Sequence, residues 1–111
     1  MSKYFSKVFE RDNHRCVYCG KDMLSDFESF MSVEEDHLLP KSSNGADGPD
    51  NIVTSCNVCN RLKGYYKPQN IDIKDRSKYI ADVRRYIMER RSVKIKEFMS
   101  WVIPNKSEYH S

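Results

Sequence analysis

Long apolar runs are missing from these 111 residues. None approaches the ~18 consecutive apolar residues that a membrane-spanning helix needs. The stretch Met1-Ser2-Lys3-Tyr4-Phe5-Ser6-Lys7 has no apolar segment of the length a signal peptide uses. A soluble protein made in the cytoplasm is therefore expected. Glycine and proline are scarce, at four each, and no repeat or low-complexity tract occurs. Aromatic residues reach 12%, which argues against wholesale disorder. Hydrophobic residues make up only 39% against 32% charged, and mean hydropathy is −0.76. One thin core is what this length and composition support, and such small domains often need a covalent or metal staple.

No cysteine stands alone. All four fall into two pairs of identical spacing, Cys16-Val17-Tyr18-Cys19 and Cys56-Asn57-Val58-Cys59. A reducing cytosol disfavours disulfides. Two C-x-x-C hooks offer four thiolates, each on a tight turn, to one tetrahedral ion at ~2.3 Å, and soft sulfur selects Zn²⁺ over Mg²⁺. Two unrelated thiol pairs or a redox dithiol are the alternatives. Gly20 directly follows the first hook, where a turn of positive φ is expected. The 36 residues from 20 to 55 separate the hooks, too many for a compact zinc ribbon, so the zinc is expected to staple the base of something larger. His14 precedes Cys16 by two residues, but four thiolates already close a tetrahedron, and neither His14 nor His110 is expected to carry chemistry.

The net charge of +3 conceals a division. Residues 1–22 carry net +2, residues 23–55 net −6, residues 56–73 net +2 and residues 74–97 net +5. Basic arms suit a polyanion such as DNA. An acidic centre does not, unless it holds a cation. A solvated helix face is the plainer account of the basic side.

Periodicity predicts a helix over residues 3–13, a short strand over 30–37, a loop over 41–50 and a second strand at Ile52-Val53-Thr54. A short helix should follow from Asn57 to about Tyr65, with Gly64 as its stop. Asp72 or Asp75 could cap a long helix over 74–91, with Tyr79, Ile80, Val83, Tyr86 and Ile87 as its core stripe and Arg84, Arg85, Arg90 and Arg91 outside. Residues 93–103 are ambiguous between strand and helix. Tyr65, Tyr66 and Trp101 are expected in the core or at its edge.

This order, and Arg11-Asp12, Cys16 to Gly20, Glu35-Asp36-His37-Leu38-Leu39-Pro40, Asn51 to Cys56 and Cys59-Asn60-Arg61-Leu62-Lys63-Gly64, resembles the HNH endonuclease family. The resemblance covers about half the chain. It implies an α+β, ββα-metal fold stapled by a structural zinc, with an N-terminal helix and a long C-terminal helix. A single domain over residues 1–111 is expected, with its motif core at about 11–66 and a helical extension at about 72–103.

The chemistry that goes with it is phosphodiester hydrolysis. That reaction needs an activated water, a cation beside the leaving oxygen and positive groups on the phosphate. His37 suits the general base, because an imidazole titrates near neutral pH. Asp36 and Asn60 offer hard oxygens that suit Mg²⁺ or Mn²⁺. Adjacent strand residues face opposite ways, so Asp36 and His37 share a site only if the strand ends or twists there. The resemblance implies the same roles for His37, Asp36 and Asn60, and assigns Asn51 to bracing the loop that positions His37. Asn60 departs from the histidine that ends the family's motif. Lys63 matches a basic residue near the substrate phosphate, and the products would be 5′-phosphate and 3′-hydroxyl ends.

Arg84, Arg85, Arg90 and Arg91 are the candidate DNA-gripping surface, double-stranded DNA being the expected partner. Cutting both strands with one site takes two copies or two passes, which admits a homodimer. A zinc-stapled nucleic-acid-binding module without catalysis, or a zinc-stabilised protein-interaction module, would share the cysteines but have no need of Asp36, His37 and Asn60 together.

Overall fold

The computed structural model describes residues 1–109, with side chains through residue 104. His110 lies outside the described residues. The elements in chain order are α1 (Phe5–Arg11), α2 (Phe27–Met31), β1 (Val33–His37), a 3₁₀ turn at Lys41–Ser43, β2 (Ile52–Cys56), α3 (Asn57–Lys63) and α4 (Arg76–Tyr109). No helix among the described residues is long and apolar enough to cross a membrane.

β1 and β2 form a two-stranded antiparallel sheet in the register Val33↔Cys56 to His37↔Ile52. β2 is buried along its whole length, and its β-branched Ile52, Val53 and Thr54 suit a packed pleated surface. Arg11 and Asp12 fasten this strand from outside. The Arg11 guanidinium donates to the carbonyls of Pro49 and Ile52, both at 2.7 Å, and the Asp12 carboxylate accepts the Thr54 N–H at 2.8 Å.

The expected first strand begins three residues later than its pattern predicts. Phe30 and Met31 instead close α2, a short helix whose start is set by the Asp26 side chain accepting the Ser29 N–H at 2.7 Å. α3 follows β2 without a break, with Gly64 at its end in positive φ.

The core gathers Phe9, Tyr18, Met23, Leu38, Val53, Leu62, Tyr79, Val83 and Ile87. α4 supplies the last three at a spacing of four, one face of a helix. Its early turns also bind polar groups of the core: the Tyr79 hydroxyl donates to the Leu38 carbonyl at 3.1 Å, and the Arg84 guanidinium donates to the carbonyls of Val17 at 2.6 Å and Tyr18 at 3.1 Å. Residues 93–103, ambiguous by pattern, continue the helix. No described side chain after Ile87 is buried, so the second half of α4 is an arm. Tyr65 and Trp101 correct their expectation: they are 84% and 69% exposed. Tyr66 is half-buried, stacked on Tyr86 with centroids 3.9 Å apart.

Candidate metal centre and active site

The two hooks meet. Cys16 and Cys19 lie on a turn closed by the Gly20 N–H donating to the Cys16 carbonyl at 2.9 Å, and Gly20 has φ +78°. Cys56 ends β2 and caps α3, its sulfur accepting the Cys59 N–H at 3.4 Å. The four sulfurs all lie within 4.8 Å of one another, and Cys19 Sγ is 3.8 Å from Cys56 Sγ. Tetrahedral coordination with ~2.3 Å metal–sulfur bonds puts sulfurs ~3.8 Å apart.

Their electrostatics ask for a cation. Accepting hydrogen bonds from Cys56 and Cys59 holds the Cys16 thiol far below its ordinary range. Donating to Cys16 pushes Cys56 up to about 11, and donating to Cys16 and Cys56 pushes Cys59 up as well. Four thiols so crowded cannot all ionise unaided, and a dication removes the conflict. The residues therefore fit Zn²⁺. His14 stays apart from this chemistry, its ring packed on Phe9 with centroids 4.8 Å apart.

A second seam runs between β1 and α3. Strand residues two apart share a face, as do helix residues three apart. Glu34 and Asp36 thus meet Asn60 and Lys63. The Asn60 amide donates to the Glu34 carboxylate. Lys63 Nζ donates to Asp36 Oδ1 at 3.1 Å and to the His37 carbonyl at 2.7 Å, with its side chain 0% exposed. The other Asp36 oxygen accepts from the Tyr18 hydroxyl. Burial raises the Asp36 carboxyl above its usual range, with the Lys63 charge, these hydrogen bonds and the nearby His37 opposing it. Burial, then the charge of Asp36, pushes the Tyr18 hydroxyl up. By donor type the seam fits a hard divalent ion, with oxygens from Asp36, Asn60 and Glu34, and Lys63 already neutralises Asp36. Lys63, expected near a DNA phosphate, has its ammonium buried and engaged twice inside the protein.

His37 turns to the other side, as strand alternation dictates. Its Nε2 lies 3.1 Å from Asp47 Oδ1, in the loop joining β1 to β2. Hydrogen bonding to His37, then the charge of Lys41, holds the Asp47 carboxyl low. Asn51 stitches this loop shut. Its side chain accepts the Leu39 N–H at 2.8 Å and donates to the carbonyls of Leu39 at 3.0 Å and Ala46 at 2.8 Å, while its own carbonyl accepts the Leu38 N–H at 2.8 Å. No hydrogen bond among the described residues joins the His37 ring to Asp36 or Asn60. The structure brings Asp36 and Lys63 together, sets Asn60 beside Glu34 and gives His37 a partner of its own.

The four arginines differ. Arg84 serves the first hook from α4. Arg85 pairs with Asp82 and Glu89, each at 3.0 Å, and also donates to the Tyr66 hydroxyl. The exposed Arg90 lies over the Tyr86 ring, 5.8 Å from its centroid. Arg91 lines a shallow cavity beside Cys19, Cys56 and Met88.

Three functional candidates escape the pattern-based reading. Glu34 is detectable by strand parity, two residues before Asp36. Tyr18 stands inside the first hook, where its hydroxyl has no sequence signal for its partner. Asp47 is one acid among several in a turn-rich loop.

Residues 16–65 match the family model described as HNH endonuclease. Over 63 residues the chain is 35% identical to the type IV methyl-directed restriction enzyme EcoKMcrA of Escherichia coli strain K12, a match covering 54% of this chain and 22% of that relative. The chain thus corresponds to about a fifth of the relative's length. No solved structure matches.

Proposed function

From the premise that residues 16–65 are an HNH endonuclease domain, we propose that this chain is a metal-dependent endonuclease hydrolysing DNA phosphodiester bonds. The observation that carries this reading is the constrained position of His37 at the end of β1, in a loop held by four hydrogen bonds through Asn51. Its ring faces away from the Asp36 seam, so in this reading the scissile phosphate lies across the strand end, between the two.

In this reading His37 takes the proton from the attacking water. Asn51 fixes the loop and so the ring. Asp36 and Asn60, with structural zinc holding the start of α3, would hold Mg²⁺ or Mn²⁺, which stabilises charge on the leaving oxygen when bound. Lys63 anchors the end of β1 through the His37 carbonyl. Arg84, Arg85, Arg90 and Arg91 of α4 would add positive charge toward the phosphate backbone of duplex DNA. Cutting both strands with one site per chain takes a homodimer or two passes.

A second reading is a zinc-stapled nucleic-acid-binding module without catalysis. It is favoured by one fact: both Asp36 oxygens already have protein partners. A plasmid assay separates the two. The nuclease converts supercoiled DNA to open-circle or linear form with Mg²⁺ or Mn²⁺, and His37→Ala lowers the rate by roughly 10²–10⁴-fold, the usual worth of a general base. Salt-dependent duplex binding with no cleavage in any divalent metal would establish the binding module instead.

A further inference from the structure

We propose that Asp47 is a positioning residue for His37: it orients the imidazole and fixes its tautomer, so that Nδ1 carries the lone pair that accepts the proton from water. The inference rests on the nuclease reading and adds to it a residue that the motif does not contain.

The geometry is direct. A neutral imidazole has one donor nitrogen and one acceptor nitrogen. A carboxylate at this distance can only accept, so the Nε2 that faces Asp47 at 3.1 Å must be the donor. Nδ1 is then unprotonated. The group that fixes one ring nitrogen thereby sets what the other can do.

Asp47 is itself held. Its preceding residue, Ala46, is tied through its carbonyl to the Asn51 amide at 2.8 Å. Gly45 is folded against Leu39 so closely that a Cβ there would lie 1.7 Å from the Leu39 oxygen. The Gly45 N–H also donates to the Pro40 carbonyl at 3.0 Å. The loop therefore returns to the strand end at the place where an acid can meet the ring. Lys41 Nζ, 3.8 Å from the same Asp47 oxygen, partly offsets the negative charge. That matters for an enzyme of a polyanion, because a bare carboxylate beside the base would repel the phosphate. The His37 side chain keeps 20% of its surface open, enough for one edge to meet water.

The proton balance is simple. Water gives one proton to Nδ1, and the resulting hydroxide forms a P–O bond while the bond from phosphorus to the 3′-oxygen breaks. That oxygen leaves and takes a proton from solvent, and Nδ1 later returns its proton to solvent. The ring becomes an imidazolium whose Nε2–H still points at Asp47, where the carboxylate stabilises the new charge. Asp47 gains no proton.

The test combines cleavage kinetics with proton NMR of the full chain. The wild type is expected to show a His37 Nε2–H resonance shifted downfield. Asp47→Ala should lose it and lower kcat by roughly 10–100-fold, a fraction of what the base itself contributes, with KM unchanged or lower. Asp47→Glu should restore part of both. A merely structural loop acid would move neither the resonance nor the split between kcat and KM. Wild-type kcat in Asp47→Ala, or a His37 ring protonated at Nδ1 in the neutral wild type, would overturn the proposal alone. A plasmid left intact by the wild-type protein in every divalent metal would remove the nuclease reading and this proposal with it.

Discussion

Lys63 is the residue whose position says most about how the seam is built. A lysine near the end of a short surface helix is ordinarily solvated. Here it is fully enclosed because Asp36 and the His37 carbonyl together replace its water shell. Removing one partner of such a pair leaves the other buried and unpaired, a cost of ~3–5 kcal/mol. Lys63→Met should therefore destabilise by about that amount, and Lys63→Met with Asp36→Asn by less than the sum of the two singles, measured by urea denaturation. The pH dependence has a definite sign. Burial already raises the Asp36 carboxyl, and losing Lys63 raises it further. A carboxyl raised in the folded state contributes stability below its unfolded pKa of ~3.9 and loses it as pH rises through the folded value. The deficit of Lys63→Met against wild type should grow from acid toward neutral pH, read from paired melts at each pH. Sequence spacing places Lys63 three residues after Asn60 but carries no record of depth. The packing of α3 on β1, whose pleat presents Asp36, turns the lysine inward.

Among the elements, β2 was the most legible, because Ile52, Val53 and Thr54 are residues that favour pleated, packed surfaces. β1 was less so. Its run of Glu34, Glu35 and Asp36 is poor strand material by composition, and it is held as a strand by β2, by Lys63 and by Tyr18. α2 escaped because five residues give no helical period, and its Asp26 cap is its main signal. The long helix was legible over 74–91, on a core stripe that ends at Ile87, and its continuation over 93–103 was not, since an arm without a core has no face to display. The loop from Lys41 to Asn51 was legible as a loop, but the need for glycine at one position was not. Gly45→Ala forces a Cβ into the Leu39 carbonyl. It should cost at least the ~1–3 kcal/mol of ordinary overpacking and, on the proposed nuclease reading, abolish cleavage. Gly48→Ala, with nothing within 4 Å of the added atom, should leave both unchanged. Parallel melts and plasmid assays on the two variants check this. Equal behaviour would remove the loop from the account of His37.

For the molecule as a whole, the four cysteines were fully legible, since two identical hooks have one economical use. They join the turn before α2 to the junction of β2 and α3, two places separated by 36 residues, beside the Val17 N–H that donates to the Thr54 carbonyl at 3.0 Å. Metal binding energy at such a site is folding energy. A strong chelator should therefore abolish the helical circular dichroism signal of the core, and Zn²⁺ should restore it. Native spectra alongside four freely reactive thiols would contradict a structural staple. The clasp of Arg84 on the Val17 and Tyr18 carbonyls spans 67 and 66 positions of chain. The clasp makes the metal centre and α4 interdependent: an arginine far along the chain grips the turn that carries two of the four sulfurs, so a helix that loosens there loosens the first hook with it.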